Sequence, residues 1–169
     1  PVSAYLVAQA LTSRAAPRLV EAVALARLPM YVPKLFISVE DKHFYEHKGM
    51  GLVPQIFTGS VLHDLVGSIA VGHTRYSTTG SSNIKNAQPL FFNSSLGQLA
   101  VAHNGNLTNA AKLRATLQKT GAIFQSTTDS EIIIHLMARH RSGSLESTIA
   151  RNLRRLEGAY SFLFMTPGK

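Results

Sequence analysis

All twelve glycines of this 169-residue chain fall at or after Gly49, and residues 1–48 contain none. Glycine supplies the positive-φ turns and close backbone approaches on which tightly connected β structure depends. Tight-turn chemistry is therefore confined to the later part of the chain, and the composition changes near Phe36. The first 36 residues are alanine-rich and set Arg14, Arg18, Arg27 and Lys34 against one acid, Glu21. This front segment reads as helix-prone, with one helix expected over Ala4–Leu11. A second would carry Pro17 in its first turn, where no intrahelical bond is lost, and run to Leu28 before Pro29 and Pro33 stop it. Its basic, acid-poor composition has a mild organelle-targeting flavour, but a terminal extension is the simpler reading. The chain opens on Pro1 rather than methionine, as a fragment or processed product would.

Beyond that boundary the pattern turns to strands and turns. Strands are expected over Leu35–Val39, His43–His47, Ser68–Tyr76, Pro89–Asn93 and Gln98–His103, the last two joined by a Ser-Ser-Leu-Gly turn. Val53–Phe57 fits either a helical turn or a strand. Apolar spacing of three to four predicts helices over Leu107–Thr120, Ser130–His140 and Leu145–Leu156, with Gly121 closing the first. Ala159–Met165 reads as a final strand. Strands, then amphipathic helices, then a strand imply a layered α+β domain, and the length suits one domain at ~100–200 residues each.

Apolar residues make up 45% of the chain and charged residues 15%, a balance that supports a packed core and argues against intrinsic disorder. No apolar run approaches the ~18 residues of a membrane span, so the chain is read as soluble with no membrane partner. There is no cysteine. That excludes a disulfide framework, a thiolate metal site and a cysteine nucleophile within these residues. Lys and Arg number 17 against 9 acids, a net charge of +8, which raises nucleic acid as a partner. The densest cluster is Arg139-His140-Arg141 followed by Arg151, Arg154 and Arg155. It lies on helix-prone segments without interleaved aromatics and reads as a solvated face. The seven histidines form no ligand pair with an acid partner, and His135 and His140, five apart, share a helix face poorly, so no metal site is expected.

Three segments can carry chemistry. Gly72-His73-Thr74-Arg75-Tyr76-Ser77-Thr78-Thr79-Gly80 sets an arginine fork at a strand end before hydroxyls, either a clamp for a small carboxylate or phosphate or a surface arginine at a sheet edge. His103-Asn104-Gly105-Asn106 sits between an expected strand and an expected helix. A strand-to-helix turn there could pair an asparagine amide with a glycine N–H as an oxyanion hole, although on these residues alone a plain turn that needs glycine is the simpler reading. Thr128-Asp129-Ser130-Glu131 fits a helix capping box, which alone accounts for Asp129. The functional alternative is a carboxylate that holds a substrate ammonium.

Taken together, His47–Val53, Gly72–Ser82, Asn86–Leu90, Ala102–Ala110 and Phe124–Glu131 resemble the glutaminase domain of the amidophosphoribosyltransferases over residues 37–169. The Arg-Tyr-Ser-Thr-Thr-Gly-Ser-Ser and Asn-Gly-Asn-Leu-Thr-Asn-Ala runs point to this purine-pathway branch of the class II amidotransferases. The resemblance implies an N-terminal-nucleophile hydrolase fold: an αββα sandwich of antiparallel sheets between helical layers, here expected to be incomplete at both ends. It also implies roles. Arg75, helped by Thr78, would hold the α-carboxylate of glutamine and Asp129 its α-ammonium, while the Asn104 side chain and Gly105 N–H would form the oxyanion hole. Glutamine is the implied partner and no cofactor is implied in this chain. Phosphoribosyl pyrophosphate would be used only through a separate domain, and the parent family is cytoplasmic and self-associating.

The family pattern opens with a Cys-Gly strand and a Gln-His-Arg-Gly-Gln motif, and residues 1–36 match neither. The chain stops at Lys169, with no room for a phosphoribosyltransferase domain. Three readings follow: a fragment or frame-shifted product of such an enzyme, a non-catalytic glutamine-binding module, or a basic nucleic-acid-binding protein on the same scaffold. Without its nucleophile the chain is expected not to hydrolyse glutamine, and residues 1–36 are expected to attach loosely as helices.

Overall fold

The computed structural model describes residues 3–9, 18–20, 35–40, 43–50, 53–65, 69–74, 83–95 and 97–167. Among them, strands β1 (Ser3–Gln9), β2 (Arg18–Val20), β3 (Leu35–Glu40) and β4 (His43–His47) precede two short helices, α1 (Val53–Ile56) and α2 (Gly59–Asp64). Strand β5 (Ile69–His73) follows, then a 3-10 turn at Ile84–Asn86 and the hairpin β6 (Leu90–Ser94) and β7 (Gly97–Leu107). Three helices, α3 (Ala110–Lys119), α4 (Glu131–Arg139) and α5 (Leu145–Leu153), lead to β8 (Gly158–Thr166). One sheet has the order β2-β1-β8-β7-β6 and the other β4-β3-β5, with antiparallel pairing throughout.

Strand β7 dictates the layering. Leu99 to His103 are buried without a break, the pattern of a strand covered on both faces. Alternation along the strand sorts this run. Leu99 and Val101 join Phe162 and Phe164 of β8 in a cluster with Leu117, Ile132, Ile133, Leu136, Met137, Ile149 and Leu153 of the three helices. Ala100 and Ala102 join Val71 of β5 and Met165 of β8 in a second cluster between the two sheets. Alanine at these positions lets the sheets approach closely. A fully buried aliphatic or aromatic side chain stabilises by ~1.5–3 kcal/mol, so the helix-side cluster carries most of the fold's apolar stabilisation. Across β4, Phe57 after α1 meets His47 edge-on with ring centroids 5.4 Å apart.

Helices α3, α4 and α5 and strands β3, β4, β6 and β8 lie where hydrophobic period predicts them, with ends shifted by a few residues. Gly121, at φ 86°, closes α3: its N–H donates to the Gln118 carbonyl at 3.0 Å and the Ala122 N–H to the Leu117 carbonyl at 2.9 Å. Val53–Phe57 resolves as helix over its first four residues, and the expected strand Ser68–Tyr76 is described only as Ile69–His73.

Five expectations are corrected. Ser3–Gln9 is a strand rather than the expected helix, and Arg18–Val20 is a strand within the expected second helix, whose remaining residues lie outside the described ones. Strands β1 and β2 of the front segment are thus built into the larger sheet, with β1 paired to β8 over its whole length, rather than loosely attached. Strand β8 has β7 on one side, and its other edge offers unpaired N–H and C=O groups. Satisfying them outweighs the modest helix propensity of a seven-residue stretch containing Tyr5 and Val7. Asn104-Gly105 is not a strand-to-helix turn, because β7 runs through it to Leu107 and α3 begins only at Ala110. The capping box does not form either. Ser130 is the N-cap of α4 and makes no side-chain cap bond, and the Glu131 carboxylate turns back to the 125–126 backbone. Helix α2, whose described residues are all at least partly exposed, has no apolar face that sequence could signal.

Candidate glutamine site at the open end of strand β7

Strand β6 pairs with β7 only as far as Val101, so Ala102 to Leu107 leave one edge of β7 open. Along a strand alternate N–H groups point to the same edge. The His103 N–H donates to the Gln88 Oε1 at 2.7 Å and the Leu107 N–H to the Asp129 Oδ2 at 2.9 Å. Two side chains thus stand in for the missing strand at positions 103 and 107. The alternation turns the Gly105 N–H, midway between them, to the same edge. Asn104 and Gly105 are exposed there.

Gly105 is fixed by geometry. Its φ is 132°, and an added Cβ would collide with the Ala159 carbonyl oxygen and lie 2.8 Å from the Tyr160 Cα. Only glycine lets β7 and β8 close to this distance. Asn104 points to the other sheet, where its Oδ1 lies 2.8 Å from the His73 Nε2 at the end of β5.

Asp129 is held by a loop that other side chains make rigid. Asn86 donates to the Thr127 hydroxyl at 2.8 Å and accepts from the Thr127 N–H at 2.9 Å. Arg114 of α3 donates to the carbonyls of Ser126 and Thr128 at 3.1 and 2.7 Å and stacks over Phe124. Glu131, almost wholly buried, accepts from the Gln125 and Ser126 N–H groups and the Ser126 hydroxyl at 2.7–2.9 Å. Asp129 itself is 7% exposed. Burial pushes its carboxyl up, but the facing His103 imidazole, 3.6 Å away, and the Leu107 N–H more than offset this and hold it below its ordinary value. Asp129 is therefore an anion at neutral pH.

Behind it, the His103 Nδ1 lies 2.9 Å from the Ser130 Oγ, which also accepts from the Gln88 Nε2 at 3.0 Å. The His103 ring stacks on Phe162 at 4.3 Å. Its Nε2 is buried without a hydrogen-bond partner. A buried N–H left unpaired costs more than an unpaired lone pair, so the proton belongs on Nδ1, directed at Ser130 and Asp129.

Of the residues singled out from sequence, Asn104, Gly105 and Asp129 come together at this edge, while Arg75 and Thr78 lie outside the described residues. The described part of β5 ends at His73, two positions before Arg75. Sequence reasoning missed His73, His103, Gln88 and Ser130. The available signal was a histidine inside two of the flagged segments, His73 and His103, the latter ending the apolar run Leu99–Ala102. Among the described residues, no group of three or more His, Asp or Glu side chains could hold a metal ion, and no helix is long and apolar enough to cross a membrane. Arg139, Arg141, Arg151, Arg154 and Arg155 are exposed on or beside α4 and α5.

Asn104 and Leu107 are three residues apart, so the amide and the Asp129 anion bracket roughly 10 Å of strand. Such an edge can hold a small zwitterion with an ammonium at one end and a polar carbonyl at the other. Residues 73–169 match the family described as a glutamine amidotransferase domain. The amidophosphoribosyltransferase of Rhizobium etli is 47% identical over 134 residues, 79% of this chain and 27% of that protein. The Bacillus subtilis enzyme of the same name is 41% identical over 131 residues, 77% of this chain and 28% of that protein. The solved structure of the B. subtilis glutamine phosphoribosylpyrophosphate amidotransferase, complexed with ADP and GMP, superposes with a TM-score of 0.72 at 38% identity, covering 80% of this chain and 29% of that one. A structure described as the allosteric regulatory enzyme of purine biosynthesis superposes at 0.74 and 39% identity, covering 80% and 30%. The chain thus spans about a quarter of the length of these curated relatives. Its two antiparallel sheets and helical layer are those of the N-terminal-nucleophile hydrolase fold, and the chain belongs to the glutamine amidotransferase domain family, where it resembles the amidophosphoribosyltransferases.

Proposed function

We propose that this chain carries the glutamine-holding part of an amidophosphoribosyltransferase glutaminase domain. Asp129 takes the α-ammonium of glutamine, and Arg75, helped by Thr78, takes its α-carboxylate. The Asn104 Nδ2 and the Gly105 N–H receive the charge that develops on the side-chain carbonyl oxygen. The observation that carries this reading is the open edge of β7. Its N–H groups at 103 and 107 are taken by Gln88 and Asp129, while the one at Gly105 faces the gap beside the Asn104 amide. Donors fixed before the substrate arrives stabilise developing charge without reorganisation. In a whole enzyme, ammonia released here would displace pyrophosphate from phosphoribosyl pyrophosphate in a separate domain, in a self-associating assembly.

We further infer that the 169-residue polypeptide binds glutamine without hydrolysing it. It has no cysteine. The register supports this: Asn104 is level with Ser161 and Ala8, while Ser3 is level with Thr166, five residues farther along β8. That places the Ser3 backbone roughly 17 Å along the sheet from the position level with Asn104.

Isothermal titration tests the binding reading. L-Glutamine should give a saturable heat with the polypeptide, and Asp129→Asn should weaken binding at least tenfold, with circular dichroism confirming that the variant is folded. A folded parent with no saturable heat, or a folded Asp129→Asn variant that binds as well as the parent, overturns it.

A further inference from the structure

His73 stands at the described end of β5, in one sheet, and reaches Asn104 of β7 in the other. Its Nε2 lies 2.8 Å from the Asn104 Oδ1 and 3.1 Å from the His103 carbonyl oxygen. A backbone carbonyl can only accept, so the Nε2 must carry a hydrogen to face it. With that hydrogen in place, the same nitrogen can meet the Asn104 carboxamide only through its oxygen, because its NH₂ would set donor against donor. The tautomer of one side chain therefore fixes the flip of the other. The Asn104 oxygen is turned to His73, and its Nδ2, with both hydrogens, is turned away. Asn104 is exposed and would otherwise rotate freely about its last bond, offering an oxygen to the ligand as readily as a nitrogen.

We propose that His73 is the positioning residue of this site: it locks the Asn104 carboxamide so that a donor faces the ligand's carbonyl oxygen, a role that rests on the glutamine reading above. An oxygen in that place would repel the developing negative charge, so the lock decides whether Asn104 helps or hinders. The contact also ties β5 to the strand that carries Asn104.

The test compares L-glutamine with L-norvaline, which keeps the α-groups but lacks the side-chain carboxamide. Both are titrated into the ¹⁵N-labelled polypeptide while the Asn104 side-chain NH₂ signals are followed. His73→Ala should weaken glutamine about tenfold and leave norvaline unchanged. In the ligand-free protein it should also shift the Asn104 NH₂ pair. His73→Gln, whose own NH₂ can donate to the Asn104 Oδ1, should recover part of the glutamine affinity. Equal glutamine affinity in the parent and His73→Ala overturns the proposal, and so does an equal loss of both ligands, which would mean that His73 acts through the fold. If the parent itself ignores glutamine, the glutamine reading fails. The ligand-free Asn104 signals then decide the lock alone, and their indifference to His73→Ala overturns it.

Discussion

Glu131 is a carboxylate with 1% exposure, satisfied by two backbone N–H groups and the Ser126 hydroxyl, with the His135 imidazole 3.4 Å away. Burial pushes its carboxyl up, but His135, Ser126 and the two backbone donors more than offset this and bring it from 4.5 to about 2. A depressed folded value means that the stabilisation is fully present above 4.5 and is lost as pH falls toward about 2. Urea midpoints should therefore fall across that window. Glu131→Gln, which sets an NH₂ against donors, should start ~1–3 kcal/mol less stable at pH 7 and lose less on acidification. Equal acid sensitivity in the two proteins would show that Glu131 is not the group responsible. Because the loop pinned by Glu131 also holds Asp129, glutamine binding should weaken before global unfolding. None of this was legible in sequence, where Thr128-x-x-Glu131 fits a cap. The motif specifies a carboxylate three residues after a hydroxyl, and only the packed loop decides which amides that carboxylate meets.

Strand β1 shows what local pattern can and cannot decide. Helices α3 to α5 were legible because their apolar positions repeat at helical spacing, and the β6–β7 hairpin because two short apolar runs flank a turn sequence. Ser3–Gln9 has no such repeat, and its conformation is set by the free edge of β8, a partner more than 150 residues away in sequence. Asn104-Gly105 failed for a related reason. Asn-Gly signals a turn when glycine is needed for the chain to reverse, whereas here it is needed because β8 passes close by. If β1 is a ladder strand, its β8-bonded amides should resist hydrogen exchange as well as those of β5. Free exchange at those amides would restore the expectation of a loosely attached segment.

Across the molecule, Asn104, Gly105 and Asp129 could be chosen from sequence and do meet. The supporting network joins residues up to 42 positions apart and could not be seen before the chain was folded. The fold brings these residues to one open strand edge, and the polypeptide has no cysteine. Purified polypeptide incubated with glutamine should release ammonia no faster than a blank, while still retaining the ligand in equilibrium dialysis. Release well above the blank would mean that another nucleophile acts and would remove the basis for a binding-only reading.

The unbroken burial of Leu99 to His103 has a consequence for how such a chain changes over time. Hydropathy alone would let β7 slide by one position, because both faces of that run are apolar. What forbids the slide is a set of notches: small residues at Ala100 and Ala102, the glycine facing Ala159, and backbone amides latched by Gln88 and Asp129. One of these latches, Asp129, is also the residue proposed to take the α-ammonium of glutamine. A descendant freed from any need to bind glutamine would still be obliged to keep Asp129 simply to hold the register of β7, so that carboxylate should outlast selection for the ligand.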